Sequence, residues 1–437
     1  MSNLEIGVLS FPAMLLLIFL RVPIGLAMFV TGYFGYWIVT GTPNMAMARL
    51  KSAAYSTFAS ESLAVVPMFL LMGYFATIGG MSKALFRAAA GFLGHYKGGV
   101  GISAIASCAG FGAICGSSLA TAATMGRVAL PELKRFGYDG GLSTALLAAG
   151  GTLGILIPPS VVLVIYAILA EQNIAKLFLA AFAPGILAAV GYMIVIAIYV
   201  RLYPGRAGIA ERVPMAERLR LLVAVWPVMV VFLVMVGGIY GGIFTPTEGA
   251  AVGAVGTGLI ALANRGLNLR SLLESFTSTA RSTAMIFFIV FGAGFYNSFL
   301  ALTQVPQSLS TWVVELGLAP VMVLVVILLI YLVLGCVMDS LSMILLTIPI
   351  FFPMMMALDF GMSQEHVAIW FGILVLIVVE TGLITPPVGM NLFIINAMDR
   401  ATPMVQTYKA VTFFVLSDLV RVAILVAFPA ITLFLIP

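Results

Sequence analysis

Long apolar tracts recur along the whole chain, and they constrain its fold more than any other feature of the sequence. A membrane-spanning helix needs about 20 mostly apolar residues, and the 437-residue chain has about ten to twelve tracts of that kind. Hydrophobic residues make up 62% of the sequence and charged residues 8%, whereas soluble domains have roughly half and a quarter. Tracts such as 321–334 are apolar on every face, unlike the alternating strands of a β-barrel. We therefore predict an all-α polytopic membrane protein, because helices satisfy their backbone hydrogen bonds in lipid.

The few polar and reactive residues exclude several function classes. A net charge of +5 over the whole length does not form the basic surface that nucleic acid requires. Cys108, Cys115 and Cys336 are too scattered for a disulfide framework or a thiolate metal site, and two histidines make an imidazole cluster equally unsuitable. We expect the cysteines to be packing residues and the chain to need no cofactor.

The N-terminal sequence does not have the pattern of a cleaved leader. It lacks a basic n-region, and the first apolar tract runs past Arg21 to about Thr40 without a small-residue cleavage site. We expect no removable signal peptide.

The distribution of Lys and Arg predicts the orientation of the middle of the chain. Basic residues crowd the connections 201–220 and 265–281, whereas 221–264 contains no Lys or Arg. By the positive-inside rule both basic connections are cytoplasmic. The segment between them is then a central helical hairpin whose turn, near 237–242, lies outside.

Two further segments have the length and flanks of re-entrant hairpins. The first, about 98–130, has basic residues at both ends and a glycine-rich turn that ends at Gly116-Ser117-Ser118. The second, about 320–356, turns near 335–340 in a region that has no Lys or Arg from 282 to 399. We predict that the first hairpin enters from the cytoplasm and the second from the outside.

Each hairpin is followed by an apolar segment that a double proline interrupts. Pro158-Pro159 lies in the segment of about 140–170, and Pro386-Pro387 in that of about 366–396. Proline inside a helix removes a hydrogen bond and clashes with the preceding turn, so both helices are predicted to be discontinuous. The halves thus form an inverted repeat, which is typical of secondary transporters with midplane binding sites. The predicted division is 1–80 (N-terminal scaffold helices), 81–200 (first repeat), 201–281 (cytoplasmic connections and central scaffold hairpin) and 282–437 (second, inverted repeat).

The hairpin turns and helix breaks concentrate the candidate ligands. Free N–H groups at half-helix N-termini suit an anionic substrate, and unwound carbonyls and hydroxyls suit Na⁺. The candidates in the first half are Ser117, Ser118, Thr121 and 154–160, and those in the second are Asp339, Ser340, Ser342 and 385–391. Ionisable residues at membrane depth are costly, and the others of this kind are Glu61, Glu248, Glu380, Asp418 and Arg421. We expect Glu248 to cap a helix, Glu380 to orient the second break, and Asp418 and Arg421 to pair at i,i+3 spacing.

The energy source follows from what the sequence lacks. It contains neither a Walker A motif nor a soluble domain that hydrolyses ATP. Uphill transport would therefore depend on an ion gradient.

Five motifs are spread over most of the chain: Val66-Pro67-Met68-Phe69, 110–123 with Gly116-Ser117-Ser118, Pro158-Pro159-Ser160, 242–251 with Thr245-Pro246-Thr247-Glu248, and Thr385-Pro386-Pro387-Val388-Gly389. In sequence and in order they resemble the motifs of one transporter family, the large membrane subunit (dicarboxylate-type M subunit) of tripartite ATP-independent periplasmic (TRAP) transporters.

The resemblance implies a Na⁺-coupled importer of a small organic acid, multi-pass in the bacterial inner membrane, that works by an elevator motion of the hairpin-bearing part. It also implies two partners, a separate four-helix (Q-type) membrane subunit and a periplasmic (P-type) substrate-binding protein. The implied cation ligands are Ser117, Ser118, Gly154 and Pro158 in one site, and Asp339, Ser340, Thr385 and Pro386 in the other. The implied substrate contacts are Ser118, Thr121, Ser160, Gly389 and Asn391.

Other functions stay open from the sequence. A self-sufficient Na⁺/anion symporter of similar architecture would need no binding protein. An intramembrane prenyl or glycosyl transferase would need clustered acidic metal ligands, and Asp339 has no acidic neighbour within one turn. The substrate is also open, with C4-dicarboxylates, sialic acid and similar carboxylates all compatible.

Overall fold

The structure, a computed structural model, describes residues 2–436, and across that range no strand is present. The predicted all-α class is therefore confirmed. The helices of this part of the chain are α1 (Asn3–Phe19), α2 (Ile24–Thr40), α3 (Pro43–Phe58), α4 (Val65–Ile78), α5 (Met81–Leu93), α6 (Gly99–Cys115), α7 (Ser118–Arg135), α8 (Gly140–Leu156), α9 (Val161–Leu169), α10 (Ile174–Leu202), α11 (Met215–Tyr240), α12 (Pro246–Ala263), α13 (Leu269–Thr303), α14 (Val305–Glu315), α15 (Pro320–Gly335), α16 (Ser340–Met356), α17 (Gln364–Gly382), α18 (Met390–Met398), α19 (Met404–Ala427) and α20 (Ala430–Leu433).

The helices fall into long spans and shorter apolar pieces. Within residues 2–436, six segments are long and apolar enough to cross a membrane: Glu61–Ile78, which is α4 with the 3₁₀ turn before it, α10, α11, α13, α17 and α19. The pair α8 and α9 adds a seventh, bent by 46° at its break. Five shorter apolar helices (α1, α2, α6, α15 and α16) complete the predicted tracts.

The N-terminal apolar tract forms two helices. α1 ends at Phe19 and α2 begins at Ile24. Arg21 adopts a left-handed φ of 66°, and Pro23 precedes α2. Since proline cannot donate a backbone hydrogen bond, the chain turns there and α2 folds back against α1.

The central hairpin is formed by α11 and α12, but its turn lies later than predicted. Gly237 and Gly238 are still helical, and the turn runs from 241 to 245. The Gly238 carbonyl accepts from the N–H groups of Ile243 and Phe244, at 2.8 and 3.0 Å. A Cβ at Gly238 would collide with the Phe244 ring. The glycine therefore allows this ring to pack against the end of α11.

One side of the bundle is built around the long helix α13. α2 packs along it through Gly25, Gly32 and Gly35, where added Cβ atoms would stand about 3 Å or less from α13 atoms. Small residues allow such close helix contact in membranes. α13 also packs against α4, and α4 packs against α12. The expected boundary at 281/282 lies inside α13, and the four-part division of the chain stays a prediction.

The segments predicted as hairpins and broken helices have related helix orders. α6 and α7 occupy the first hairpin segment and α15 and α16 the second. α8 and α9 follow the first pair, with a break at 157–160, and α17 and α18 follow the second, with a break at 383–389. The re-entrant course of the hairpins and their inverted relation stay predictions.

Candidate functional site

The tip of the first hairpin is a two-residue turn. Gly116 adopts a φ of 63°, which favours glycine. Ser117 caps α7, since its hydroxyl accepts the backbone N–H of Ala120 at 3.4 Å. Ser118, the first residue of α7, is 1% exposed. The sequence Gly-Ser-Ser thus reverses the chain and starts a helix whose N-terminus points into the bundle.

The first helix break packs directly against this tip. Residues 157–160 are buried, Pro158-Pro159 is a cis peptide, and Ser160 caps α9 by accepting the Leu163 N–H at 3.4 Å. An added Cβ at Gly116 would lie 3.2 Å from the Pro159 carbonyl oxygen. One at Gly154 would lie 2.7 Å from the Ser117 carbonyl oxygen. The break and the tip therefore bring several backbone oxygens close together.

The tip of the second hairpin ends in a carboxylate. Asp339 caps α16, and its Oδ2 accepts the backbone N–H of Ser342 at 3.0 Å. Ser340, the first residue of α16, donates its hydroxyl to Oε1 of the buried Glu380 at 2.6 Å. This tip therefore has the same helix start as the first one, with an acid in place of the capping serine.

The second break also packs against its own hairpin tip. The Gly389 N–H donates to the Cys336 carbonyl at 3.2 Å, and the Cys336 thiol donates to the Pro386 carbonyl at 3.7 Å. Pro386-Pro387 is a cis peptide. The Thr385 hydroxyl donates to the Thr381 carbonyl at 2.7 Å, which leaves its lone pairs available to a cation.

Each hairpin touches its broken helix through a pair of glycines. An added Cβ at Gly112 would stand 2.7 Å from the Cα of Gly154, and one at Gly335 would stand 3.0 Å from the Cα of Gly382. Gly112 and Gly335 lie in the first arms, and their partners lie near the breaks. The two halves thus use the same backbone-to-backbone contact, which only glycine permits.

Both hairpin tips line one cavity of about 510 Å³. Its opposite wall consists of α4 and the middle of α13, including Gly73, Tyr74 and Ser282. The tips contribute the residues Gly116, Ser117, Ser118, Asp339, Ser340 and Leu341. The cavity is therefore bounded by the N-termini of α7 and α16, where free N–H groups and positive dipole ends favour an anion.

Arg127 is a charged wall residue of this cavity that the sequence analysis considered only for topology. It lies on α7 and continues a stripe with Ala120, Ala123 and Thr124 that faces the cavity. Within residues 2–436 no acidic side chain forms an ion pair with Arg127. Arg127 follows Thr124, Ala123 and Ala120 by three, four and seven residues, and this helical spacing is the sequence signal that places it on the same face of α7.

The predicted ligands divide between the cavity wall and the layer behind it. Ser117, Ser118, Asp339 and Ser340 line the cavity. The predicted residues outside this wall are Gly154, Pro158, Thr385, Pro386, Thr121, Ser160, Gly389 and Asn391. Asn391 is buried and donates its Nδ2 to the Ala148 carbonyl at 3.2 Å. The structure thus joins the two tips in one place and keeps the predicted ligands of the breaks behind them.

The remaining predicted polar residues have structural contacts. Asp418 and Arg421 form a buried ion pair at 2.9 Å, as expected from their spacing. Glu248 forms a capping box with Thr245, which confirms its capping role. The three cysteines are buried and free.

The donor set around the tips suits a hard cation. It consists of hydroxyl, carbonyl and carboxylate oxygens, which are the ligands that hard cations prefer. In the described part of the chain, no group of three or more His, Cys, Asp or Glu residues is arranged to hold a metal ion.

The fold is similar to that of a solved transporter. The YdaH transporter of Alcanivorax borkumensis superimposes with a TM-score of 0.64 at 15% sequence identity, and the match covers 90% of each chain. At this identity the similarity supports the fold alone.

Sequence comparison identifies the family. A profile described as "Tripartite ATP-independent periplasmic transporter, DctM component" matches residues 11–431. The chain is 37% identical over 382 residues to the C4-dicarboxylate TRAP transporter large permease protein DctM of Pseudomonas aeruginosa, with 87% of each protein covered. It is 30% identical to the isethionate TRAP transporter permease protein DctMQ of Oleidesulfovibrio alaskensis, over 92% of this chain and 65% of that relative. The resemblance seen in the motifs is confirmed, and the chain belongs to the DctM family of TRAP transporters as a large permease subunit for small organic acids in the bacterial inner membrane.

Proposed function

We propose that this permease subunit imports a small carboxylate, such as a C4-dicarboxylate or sialic acid, by symport with Na⁺. The substrate is delivered by a periplasmic binding protein, and the subunit works with a separate four-helix membrane partner. The observation that most supports this proposal is the single cavity lined by both hairpin tips, with Arg127 and Asp339 in its walls. One cavity with both charges suits an anion and a cation together.

The proposed cation sites lie beside the tips. Ser117, Ser118, Gly154 and Pro158 form the first site, and Asp339, Ser340, Thr385 and Pro386 form the second. The contacts of Gly154 with the Ser117 carbonyl and of Pro386 with Cys336 support this grouping, because they bring the breaks to the tips. Cations held there would stabilise the anion at the adjacent helix N-termini.

The proposed substrate position is between Ser118 and Arg127. The guanidinium suits a carboxylate, since it forms paired, charge-assisted hydrogen bonds with it. Side chains on a helix point toward its N-terminus, so Arg127 extends from α7 in the direction of the hairpin tip. Thr121, Ser160, Gly389 and Asn391 stay proposed contacts behind this position; Thr121 Oγ1 and Asn391 Oδ1 are buried oxygens without a hydrogen-bond partner among the described residues.

The arrangement of the cavity walls supports an elevator mechanism. The hairpins and broken helices form one wall, and α4 and α13 form the other. The cavity-lining residues of α4 and α7 run from the hairpin tips to Thr77 and Arg127. The positive-inside rule assigns those ends of the two helices to the cytoplasm. We propose that the hairpin wall slides along the α4–α13 wall and releases the substrate at that end.

The partners follow from the family and from one relative. The DctMQ relative is named as a single permease protein, and this chain matches only 65% of its length. We propose that the remaining part corresponds to a small membrane subunit that is a separate chain here. That subunit would complete the fixed wall, and the binding protein would dock on the outer side.

The test is uptake into proteoliposomes that contain this chain and its small membrane partner. A panel of labelled C4-dicarboxylates, sialic acid and other organic acids is supplied with or without the cognate binding protein, under an inward Na⁺ gradient. Uptake that needs both the gradient and the binding protein is the expected result. Uptake with Na⁺ alone would favour the self-sufficient symporter, and uptake independent of Na⁺ would refute the coupling.

A further inference from the structure

Glu380 is a buried carboxylate between the two hairpin tips. It lies on α17, two residues before the end of that helix, and is 0% exposed. Its Oε1 accepts the Ser340 hydroxyl at 2.6 Å, and the Ser118 side chain lies near the same carboxylate without a hydrogen bond to it. Oε2 is buried without a protein partner in the range 2–436. One side chain of the helix that enters the second break therefore binds the second hairpin tip, lies next to the first, and keeps a free acceptor oxygen.

The two serines occupy corresponding positions. Ser118 is the first residue of α7, directly after the cap Ser117, and Ser340 is the first residue of α16, directly after the cap Asp339. Both line the shared cavity, and both are predicted cation ligands. A movement of one serine therefore reaches the other through a single intervening side chain.

The local environment of Glu380 does not explain the carboxylate as a structural ion pair. The nearest buried cation on the neighbouring helix, Arg421, pairs with Asp418 at 2.9 Å. Within the described residues Glu380 has no salt bridge, and burying a carboxylate without a cation is costly. Ionisable residues retained at such a cost in a membrane protein usually serve its transport function.

We propose that Glu380 is a positioning residue that couples the two cation sites by holding the Ser118 and Ser340 hydroxyls on one carboxylate. The inference rests on the proposed function and adds cooperativity to it. A cation at either tip orders the serine there, which fixes the carboxylate and thereby the serine of the other tip. Binding at one site then favours binding at the other, and the coupling is reciprocal.

The first experiment measures Na⁺-dependent uptake at saturating substrate for the wild type and Glu380→Gln. The expected Hill coefficient for Na⁺ is above one in the wild type and falls to about one in the variant, because glutamine replaces one acceptor oxygen by an NH₂ group that cannot accept a serine hydroxyl. The substrate KM at saturating Na⁺ should change less than the Na⁺ half-saturation, since Glu380 does not line the cavity and reaches the substrate only through Ser118. A variant with unchanged Hill coefficient and Na⁺ half-saturation would overturn the proposal.

The matched control is Glu365→Gln. Glu365 lies in the first turn of the same helix, about 22 Å along the helix axis from Glu380, where it is exposed and pairs with Lys176 at 2.6 Å. It should keep the wild-type Hill coefficient. The same loss of cooperativity in this control would show a general effect of charge on α17 and would also overturn the proposal.

A second measurement applies even if Glu380→Gln does not fold. Ser118→Ala, Ser340→Ala and the double variant form a cycle with Glu380 intact, and Na⁺ half-saturation is measured for each. Coupling through Glu380 predicts that the double variant differs from the product of the single effects by about threefold or more. Multiplicative effects would refute the coupling. A wild type without any Na⁺-dependent uptake would instead refute the proposed function itself.

Discussion

The two hairpins contribute charges of opposite sign to the cavity that they share. The first hairpin supplies the Arg127 guanidinium and the neutral hydroxyls of Ser117 and Ser118, whereas the second supplies the Asp339 carboxylate at its tip. Both hairpins have the same helix start and the same glycine contact with a broken helix. The difference in charge indicates that equivalent backbones are specialised: the first hairpin combines neutral cation ligands at its tip with a guanidinium that suits the anion, whereas the second supplies a charged cation ligand.

The breaks behind the two tips also differ. The first break, 157–160, is short and fully buried, whereas the second, 383–389, is longer and partly exposed from 385 to 388. A short buried break offers a fixed set of carbonyls. Local opening is easier where the backbone is exposed and makes few contacts, so we expect the second site to exchange its cation more readily.

The largest effect is expected where the two halves are most alike, at the glycine contacts. In Gly112→Ala and Gly335→Ala the new Cβ would meet the backbone of Gly154 and Gly382. Because backbone cannot rotate away, each change is expected to cost about 1–3 kcal/mol and to reduce uptake severely. Thermal unfolding and uptake measure this, with Gly294→Ala as the control because a Cβ there meets nothing within 4 Å. Normal behaviour of both variants would refute the packing equivalence.

The next largest effect tests the proposed anion-binding residue, Arg127. Arg127→Gln is expected to raise the substrate KM about tenfold, since a hydrogen bond to a charged group contributes roughly 1.5–3 kcal/mol. Na⁺ half-saturation should stay unchanged at saturating substrate. Arg135→Gln on the same helix is the control, because Arg135 is exposed and pairs only weakly with Glu132 at 3.5 Å. A shift in Na⁺ affinity without a change in KM would contradict the assignment of Arg127.

A smaller effect tests the proposed cation ligands at the two hairpin tips. Asp339→Asn is expected to raise Na⁺ half-saturation about tenfold, because a charged ligand is lost while asparagine still caps α16. Ser117→Ala should raise it about threefold, since a neutral oxygen is lost. Folding and membrane insertion should be retained in both variants. Uptake at graded Na⁺ concentration gives both values, and a reversed order would break the proposed specialisation.

The smallest effect concerns a contact that joins the two halves. Asp399 after α18 accepts Lys134 of α7 at 2.6 Å and the Thr402 hydroxyl at 2.7 Å. Burial raises the pKa of Asp399, but these hydrogen bonds and the charge of Lys134 more than offset it, so its pKa is lower than the ordinary 3.8. The ionised Asp399 therefore contributes its full stabilisation of the folded state above about pH 3.8, and this contribution is lost as the pH falls through the lower pKa of the folded state.

We expect Lys134→Met to flatten the acid limb of the unfolding profile, which means that the melting temperature falls less as the pH drops below about 3.8. Lys97→Met, at an exposed lysine, should leave that limb as in the wild type. Identical acid limbs for Lys134→Met and the wild type would show that the contact does not stabilise the fold.

Much of the helix order was predictable, because its signals are local. The turn Gly116-Ser117 and the double prolines interrupt helices by their own conformational limits. The same reasoning was wrong where tertiary packing decides. Gly237 and Gly238 suggested a turn, yet α11 continues through them because Phe244 packs on Gly238.

The candidate site was predictable only in part, because its walls come from distant helices. The tip residues Ser117, Ser118, Asp339 and Ser340 were found from the hairpin pattern. Arg127 was missed as a cavity residue, because its surroundings depend on how α4 and α13 pack against α7. The contact of Glu380 with Ser340 joins positions 40 residues apart in sequence, and no local pattern indicates it.

The most direct measurement is a cryo-electron microscopy structure of the complex with its small subunit, in Na⁺ and the acid identified by uptake. The account predicts ligand density between the hairpin tips, with a carboxylate on Arg127 and Ser118 and cation density beside Asp339. Ligand density away from the shared cavity, or a substrate that does not contact Arg127, would contradict it.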